Sequence, residues 1–351
     1  MSAVSIGSIS LGENFEPQVI AEIGSNHNGS IEKALELIEA LATTSVKLVK
    51  FQFYSVDELV SDPDRVISWG KQSYQTTERV GEMFRRLSIS SKDLELLFKK
   101  CKSLDLTPLA TPFSTNGLNQ ILQAGTAAIK IASSDTSHIP LLKAAGKSGL
   151  PVIVSVGKTT LAEMDIAINC LMESGCDQLI ILQCTASYPA PDIDLNLNFI
   201  PTIAQLFPES VVGFSDHSIG GTAAIVAVAK GASVVEKHVT LDKNLSGPDH
   251  WFSSDVSEIQ QISSNIKSAK KTLGLSYKKI TPSEIEGRRL ATRSLVALDD
   301  MKAGEILTEA NTGILRPGGG ISPHLHHQIL GMKIKRAKNK WEQFEWNDFK
   351  E

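Results

Sequence analysis

The sequence predicts an α/β protein, a (β/α)8 barrel of the TIM type followed by a small C-terminal domain, and three observations carry that prediction. Eight short, β-rich apolar runs recur along the first three quarters of the 351 residues, most of them followed by helically spaced apolar positions. Nearly every run ends in a polar or ionisable residue, and the C-terminal edge of the strands is the catalytic face of such barrels. The composition, 42% apolar and 21% charged, supplies a sizeable core and argues against disorder.

The predicted strands and their terminal polar groups can be taken in order. Run 19–24 carries Glu22, with Asn26 just beyond it, and run 46–53 carries Lys50 and Gln52. Run 107–113 carries Thr111, run 127–133 carries Lys130 and Ser133, and run 151–157 carries Ser155. Run 179–188 ends in Thr185 and Tyr188, run 211–217 in Ser215, Asp216 and His217, and run 232–240 holds Glu236 and His238. Helices are expected at 31–43, 91–104, 161–173, 220–230 and 256–273, several with Ser, Thr or Asp near their starts. A doubly wound sheet could use the same elements, but the turn after its first strand would be a glycine-rich nucleotide fingerprint. Here that turn reads Gly24-Ser25-Asn26-His27-Asn28-Gly29, which does not fit. The segment 54–90 is too long for an ordinary loop and is expected to form a lid or a dimer contact.

Alternation along a strand projects Lys50 with Gln52, Ser215 with His217, and Glu236 with His238 to one side. A single strand-end Ser or Thr is usually a loop cap, whereas this many ionisable groups at one rim point to a solvated, charged site. Two neutral imidazoles from neighbouring strands, His217 and His238, suit Mn²⁺, Fe²⁺ or Zn²⁺; the alternative is a pair of hydrogen-bonded core histidines. Lys50 and Lys130 with the hydroxyls of Thr111, Ser133, Ser155 and Ser215 form an anion cradle for a phosphate or carboxylate. Glu22, Glu236, Asp249 and Tyr188 are then available as acid, base or sugar contacts.

Several classes are disfavoured. Lys plus Arg count 35 against 39 Asp plus Glu, a net charge of −4 without a basic block, so a nucleic-acid partner is not expected. Cys101, Cys170, Cys176 and Cys184 show no C-x-x-C spacing, which argues against a disulfide framework or zinc ribbon, and Cys184 reads as small packing. No run of roughly 18 apolar residues occurs and the N-terminus lacks a signal pattern, so the expected compartment is the cytoplasm, with no membrane partner. His324, His326 and His327 read as solvated loop residues, and Lys270, Lys271, Arg288 and Arg289 as solvated charges.

The ordered strings Ala-Glu-Ile-Gly-Ser-Asn-His-Asn-Gly at 21–29, Val-Lys-Phe-Gln at 49–52, Ala-Thr-Pro-Phe-Ser at 110–114 and Ile-Lys-Ile-Ala-Ser at 129–133 resemble the sialic acid synthase family. So do Gln-Cys-Thr-Ala-Ser-Tyr-Pro at 183–189, Gly-Phe-Ser-Asp-His-Ser at 213–218, Val-Glu-Lys-His at 235–238 and Gly-Pro-Asp-His at 247–250. The resemblance continues into the tail, where 291–351 is similar to the antifreeze-like, or SAF, domain; it implies a synthase barrel over 1–275 and a linker over 276–290. The implied reaction joins phosphoenolpyruvate to an N-acylated hexosamine of the N-acetylmannosamine type, consuming water and giving a sialic (nonulosonic) acid and phosphate, as in N-acetylneuraminate synthase. N,N'-diacetyllegionaminate and pseudaminate synthases share these motifs and differ mainly in the acyl-sugar pocket.

By the same resemblance His217 and His238 hold Mn²⁺ or Mg²⁺, and Lys50, Thr111, Lys130, Ser133, Ser155 and Ser215 cradle phosphoenolpyruvate. Glu22, Gln52, Tyr188, Asp249 and Arg316 then contact or orient the sugar, and Glu236 lies near the water and metal, with Glu22, Glu236 and Lys130 as the catalytic set. Asp135, placed with the substrate-binding residues, stands where sialic acid synthases have Glu, and Ala186 where some have Asn. The implied assembly is a homodimer with a swapped C-terminal domain, Arg316 reaching the partner's barrel. Two competing readings are a Schiff-base aldolase using Lys130 or Lys237 and a non-catalytic binding protein built on the ice-binding likeness of the tail.

Overall fold

The computed structural model describes residues 3–71 and 74–349. The chain divides into two compact units, Met1–Gly274 and Leu275–Glu351. In the first, eight parallel strands follow one another around a closed barrel: β1 Gln18–Glu22, β2 Leu48–Phe53, β3 Thr107–Pro112, β4 Ile129–Ile131, β5 Val152–Ser155, β6 Leu179–Cys184, β7 Val211–Asp216 and β8 Val234–Thr240. Pairing of β8 with β1 and of β7 with β8 closes the ring, so no edge is left open.

Two residue layers explain how this barrel becomes a site. Ile20, Leu48, Leu109, Ala128, Ile153, Leu182, Val211 and Val234 belong to one buried apolar cluster inside the ring. Two residues further along six of these strands come Glu22, Lys50, Thr111, Lys130, Ser155 and Glu236, which alternation keeps on the same inner side. The interior therefore switches from apolar to charged within one repeat of the strand. An N-terminal hairpin, Ala3–Ile6 with Ile9–Gly12, adds Val4, Ile6 and Leu11 to the apolar layer. Gly213 on β7 occupies a place where a Cβ would lie 2.5 Å from the Val234 carbonyl oxygen and 2.6 Å from Leu182, so only glycine fits there.

The opposite faces of the strands pack on surrounding helices in the larger core cluster, which includes Val49, Phe51, Leu94, Phe98 and Phe214. Helix starts are fixed locally: Ser90, Thr160 and Asp255 form capping boxes with Asp93, Glu163 and Glu258. Helices Leu161–Glu173 and Val256–Leu273 lie where the apolar spacing puts them, while the helix expected at 220–230 is shorter, Thr222–Ala229, because Gly220 adopts φ 81° before it. The long segment after β2 is a built element: a short helix Val56–Leu59, an antiparallel hairpin Val66–Lys71 with Tyr74–Arg79, and a helix Val80–Leu87.

The second unit begins with the region read as a linker, and it is ordered there. Thr281 and Glu284 form a capping box around Pro282, starting a turn that runs into the helix Ile285–Ala291. Strands Ser294–Ala297 and Thr312–Leu315 pair antiparallel over a core that includes Leu295, Met301, Leu307, Ile321 and Phe344.

Candidate active site

At the C-terminal ends of the strands, four buried charges meet. Lys50 Nζ lies 2.8 Å from Glu22 Oε2 and 3.7 Å from Glu236 Oε1, and Lys130 Nζ lies 3.9 Å from Glu236 Oε1. Lys50 Nζ also donates to Thr111 Oγ1 at 2.9 Å, Lys130 Nζ to the Ile131 carbonyl at 3.0 Å, and Ser215 Oγ to Glu236 Oε1 at 3.4 Å. Burial pushes the Glu22 carboxyl up, and Lys50 only partly reverses that. For Glu236 the same burial is outweighed by Lys130 and Lys50, which hold it below its ordinary range. Burial lowers the Lys130 ammonium, whereas Lys50 rises because Glu22 and Glu236 outweigh the burial acting on it. Two carboxylates whose environments drive them apart are the arrangement acid–base chemistry uses.

Beside this quartet stand the histidines. The ring centroids of His217 and His238 are 5.6 Å apart, and burial lowers both imidazoles, which favours their neutral form. His217 Nδ1 donates to the Thr185 carbonyl at 3.1 Å, which leaves a lone pair on Nε2. His238 Nδ1 is buried without a hydrogen bond, 3.6 Å from Asp249 Oδ2. Ser155 Oγ and Glu236 Oε2 are likewise buried and unpaired. Unsatisfied buried polar atoms are rare in folded proteins, and their convergence here marks a place where a ligand completes the set. Neutral imidazoles with free nitrogens beside a carboxylate fit a divalent cation. Among the described residues no group of three or more His, Cys, Asp and Glu is arranged to hold a metal alone, so remaining positions would fall to water and substrate.

The other expected residues are distributed as follows. Gln52 Nε2 donates to Glu22 Oε1 at 2.7 Å, so in this structure it orients a carboxylate. Ser133 and Asp135 stand in a 3-10 turn beyond β4, not on the strand. There the Gly157 N–H donates to Ser133 Oγ at 2.9 Å, and burial raises the Asp135 carboxyl. Tyr188 also lies past its strand, which ends at Cys184; its ring covers His217 at 4.3 Å between centroids. His217 follows the last residue of β7. Asp249 accepts from Ser25 Oγ at 2.8 Å, and Asn26 Nδ2 donates to the Val239 carbonyl and to Ser253 Oγ, both at 2.8 Å, so the first loop braces the last. Arg316 belongs to the second unit, exposed after Thr312–Leu315.

Cys184 is buried, as a small packing residue is, and its Sγ also lies 3.8 Å from Nδ1 of His217, just past the end of β7. One reading needs correction. Lys237 is no candidate for carbonyl attack, because it is buried in an ion pair with Asp216 at 2.9 Å, on the side of β8 opposite Glu236 and His238. Ser25 and Phe252, whose ring lies 5.3 Å from that of His238, carried no sequence signal of their own.

The NeuB family model matches residues 37–278 and the SAF domain model residues 292–350. This chain belongs to the NeuB family. It is a nonulosonic acid synthase, a transferase that forms a C–C bond with phosphoenolpyruvate. The N,N'-diacetyllegionaminic acid synthase of Legionella pneumophila is 34% identical over 90% of this chain and 90% of its own length. The pseudaminic acid synthase of Helicobacter pylori is 32% identical over 91% and 94%. The crystal structure of N-acetylneuraminic acid (sialic acid) synthetase from Leptospira borgpetersenii superposes with a TM-score of 0.73 at 31% identity, covering 82% of this chain and 95% of that one.

Proposed function

We propose that the synthase condenses phosphoenolpyruvate with a 2,4-diacetamido-mannose-type sugar, giving an N,N'-diacetyllegionaminic-type acid and phosphate. The convergence of buried, unpaired Ser155 Oγ, Glu236 Oε2 and His238 Nδ1 on the Glu22–Lys50–Glu236–Lys130 quartet carries the chemistry. The sugar class is supported by synthases of that acid at 34% identity over about nine tenths of the chain. N-acetylmannosamine, the substrate of an N-acetylneuraminate synthase, is the second reading, supported by the likeness to the Leptospira enzyme.

In the reaction, the methylene carbon of phosphoenolpyruvate bonds to the sugar aldehyde carbon, water adds to C2, and phosphate leaves with its bridging oxygen. Lys50, Lys130, Thr111, Ser133, Ser155 and Ser215 hold the phosphate and carboxylate, Lys130 with the less neutralised charge. Gln52 keeps Glu22 turned toward Lys50, and the two carboxylates hold and move the proton, Glu236 accepting through its free Oε2. Tyr188 and Asp249 border the histidines on the side open to the sugar. His217 and His238 would hold Mn²⁺ or Mg²⁺, which when bound supplies Lewis-acid polarisation of the aldehyde oxygen. Fixed charges in a buried rim lower the barrier chiefly by positioning and electrostatics.

The working unit proposed is a homodimer with Arg316 acting on the partner's sugar. Leu275, Tyr277, Ile280, Ile285 and Leu290 all leave apolar surface exposed along one stretch, and Ile193 is 88% exposed on the loop after β6, as expected of surfaces meant to be covered. The cytoplasm is the proposed compartment: all four cysteines are free, and among the described residues no helix is long and apolar enough to cross a membrane. The test is incubation of purified protein with phosphoenolpyruvate, Mn²⁺ and each of N-acetylmannosamine, the 2,4-diacetamido-mannose sugar and its altrose counterpart, reading phosphate release and product mass. Turnover fastest with the diacetamido-mannose sugar is expected. A preference for either other sugar overturns the assignment.

A further inference from the structure

A buried ion pair lies directly behind the two histidines. Asp216 precedes His217 on β7 and Lys237 precedes His238 on β8, and alternation turns both away from the inner side that holds Ser215 and Glu236. They face each other on the last rung of the β7–β8 ladder, which pairs Phe214 with Val235, Ser215 with Glu236 and Asp216 with Lys237. Lys237 Nζ donates to Asp216 Oδ2 at 2.9 Å and to the Ser218 carbonyl at 2.5 Å. Asp216 Oδ1 accepts from the Ser218 N–H at 2.9 Å and from its hydroxyl at 2.7 Å. Each of the three residues is 1% exposed.

The arrangement does more than join two strands. β7 ends at Asp216, so His217 stands beyond the ladder with no strand partner, its backbone held by the Ala190 N–H donating to its carbonyl and by the bonds of its neighbours Asp216 and Ser218. A buried ion pair is a weak stabiliser, since desolvation cancels most of the attraction and an apolar pair of similar volume would hold the strands as well. What it supplies is direction: both partners must meet in one geometry, and that geometry fixes the peptide units from which the two imidazoles emerge.

We propose that Asp216 and Lys237, with Ser218, form a spacing clamp that sets the separation and aim of His217 and His238 for joint use. This rests on the reading of those histidines as a metal-holding pair. The clamp residues touch neither substrate nor metal and are positioning residues.

Mn²⁺ alone, titrated into the metal-free full chain and followed by the electron paramagnetic resonance of the free ion, tests it. The double variant Asp216→Asn/Lys237→Met removes both charges and leaves neither orphaned; it should fold with a native circular dichroism spectrum yet bind Mn²⁺ about 10- to 100-fold more weakly, the usual cost of losing an outer support. Lys237→Arg, which keeps the pair, should retain wild-type affinity. Lys338→Met, which breaks a buried ion pair in the second unit, should leave the affinity unchanged and so control for general loosening. A folded double variant with wild-type affinity overturns the clamp. If the double variant fails to fold, Lys237→Gln takes its place, since it removes the charge and so breaks the ion pair while Asp216 Oδ1 keeps its two bonds from Ser218; unchanged affinity there overturns the clamp equally. His217→Ala and His238→Ala separate the two readings: if they bind Mn²⁺ as the wild type does, the metal reading falls and the clamp with it, whereas if they lose it while the clamp variants keep it, the clamp alone falls.

Discussion

Lys50 on β2 and Lys130 on β4, with β3 between them, are both buried ammonium groups at the rim, and they differ in what already neutralises them. Lys50 has Glu22 at 2.8 Å and Glu236 at 3.7 Å, while Lys130 has Glu236 at 3.9 Å and a backbone carbonyl. An incoming anion therefore gains more from Lys130. Lys130→Met should cut kcat/KM for phosphoenolpyruvate about 10- to 100-fold, the range expected for one charged hydrogen bond, and Lys50→Met should cut it less. Steady-state kinetics with each substrate varied in turn decide the matter: a change confined to the sugar's KM would reverse the assignment. At this scale the sequence was most legible, because charged residues at strand ends are costly and therefore conspicuous. It was silent where a partner comes from another strand, as for Cys184 with His217, or from a loop far along the chain, as for Ser25 with Asp249.

At the level of elements, periodicity located every barrel strand but not its ends. The run 127–133 contains only a three-residue strand, Ile129–Ile131, and 179–188 stops at Cys184. Beyond those ends the chain turns, Ser133 in a 3-10 turn and Tyr188 49% exposed, and residue type alone does not mark where the ladder bonds stop. The N-terminal hairpin escaped notice for a different reason: each strand has four residues, too few for alternation to stand out. Gly213 is the position where an element is most tightly constrained. Gly213→Ala should destabilise the first unit by about 1–3 kcal/mol, the ordinary cost of overpacking a filled core, because neither the Val234 carbonyl nor Leu182 has room to retreat. Chemical denaturation is the measurement, and an unchanged midpoint would contradict the packing argument.

The second unit has its own buried charge. Asp348 is fully buried, which pushes its carboxyl up, yet Lys338, the Glu345 N–H and Arg336 together hold it below the ordinary range. A folded value below the unfolded one stabilises above the unfolded value of about 3.9 and is lost as pH falls through the folded value. Thermal unfolding followed at Trp341 and Trp346 should thus weaken below about pH 4, and Asp348→Asn should be less stable at neutral pH with a flatter acid slope. Parallel slopes in the two proteins would remove Asp348 from the account.

For the whole molecule, order carried more information than any motif, since the strings at the strand ends follow one another from residue 21 to residue 250 and the tail strings come after them. What order cannot convey is assembly. The second unit has a modest core and an exposed apolar lead-in, a combination that favours docking on a larger surface. Arg316 is exposed, and its guanidinium offers a planar fork of donors suited to sugar oxygens. If it serves the partner's barrel, Arg316→Ala and His217→Ala chains are each inactive as homodimers for different reasons. Mixing them with subunit exchange should restore activity, because a mixed dimer assembles one site from the intact barrel of the first chain and the intact tail of the second. Random exchange of equal amounts makes half the dimers mixed, each with one of two sites working, so about a quarter of wild-type activity is expected. Exchange demonstrated by mass with no activity regained, or full activity in a monomer, would place Arg316 outside the partner's site.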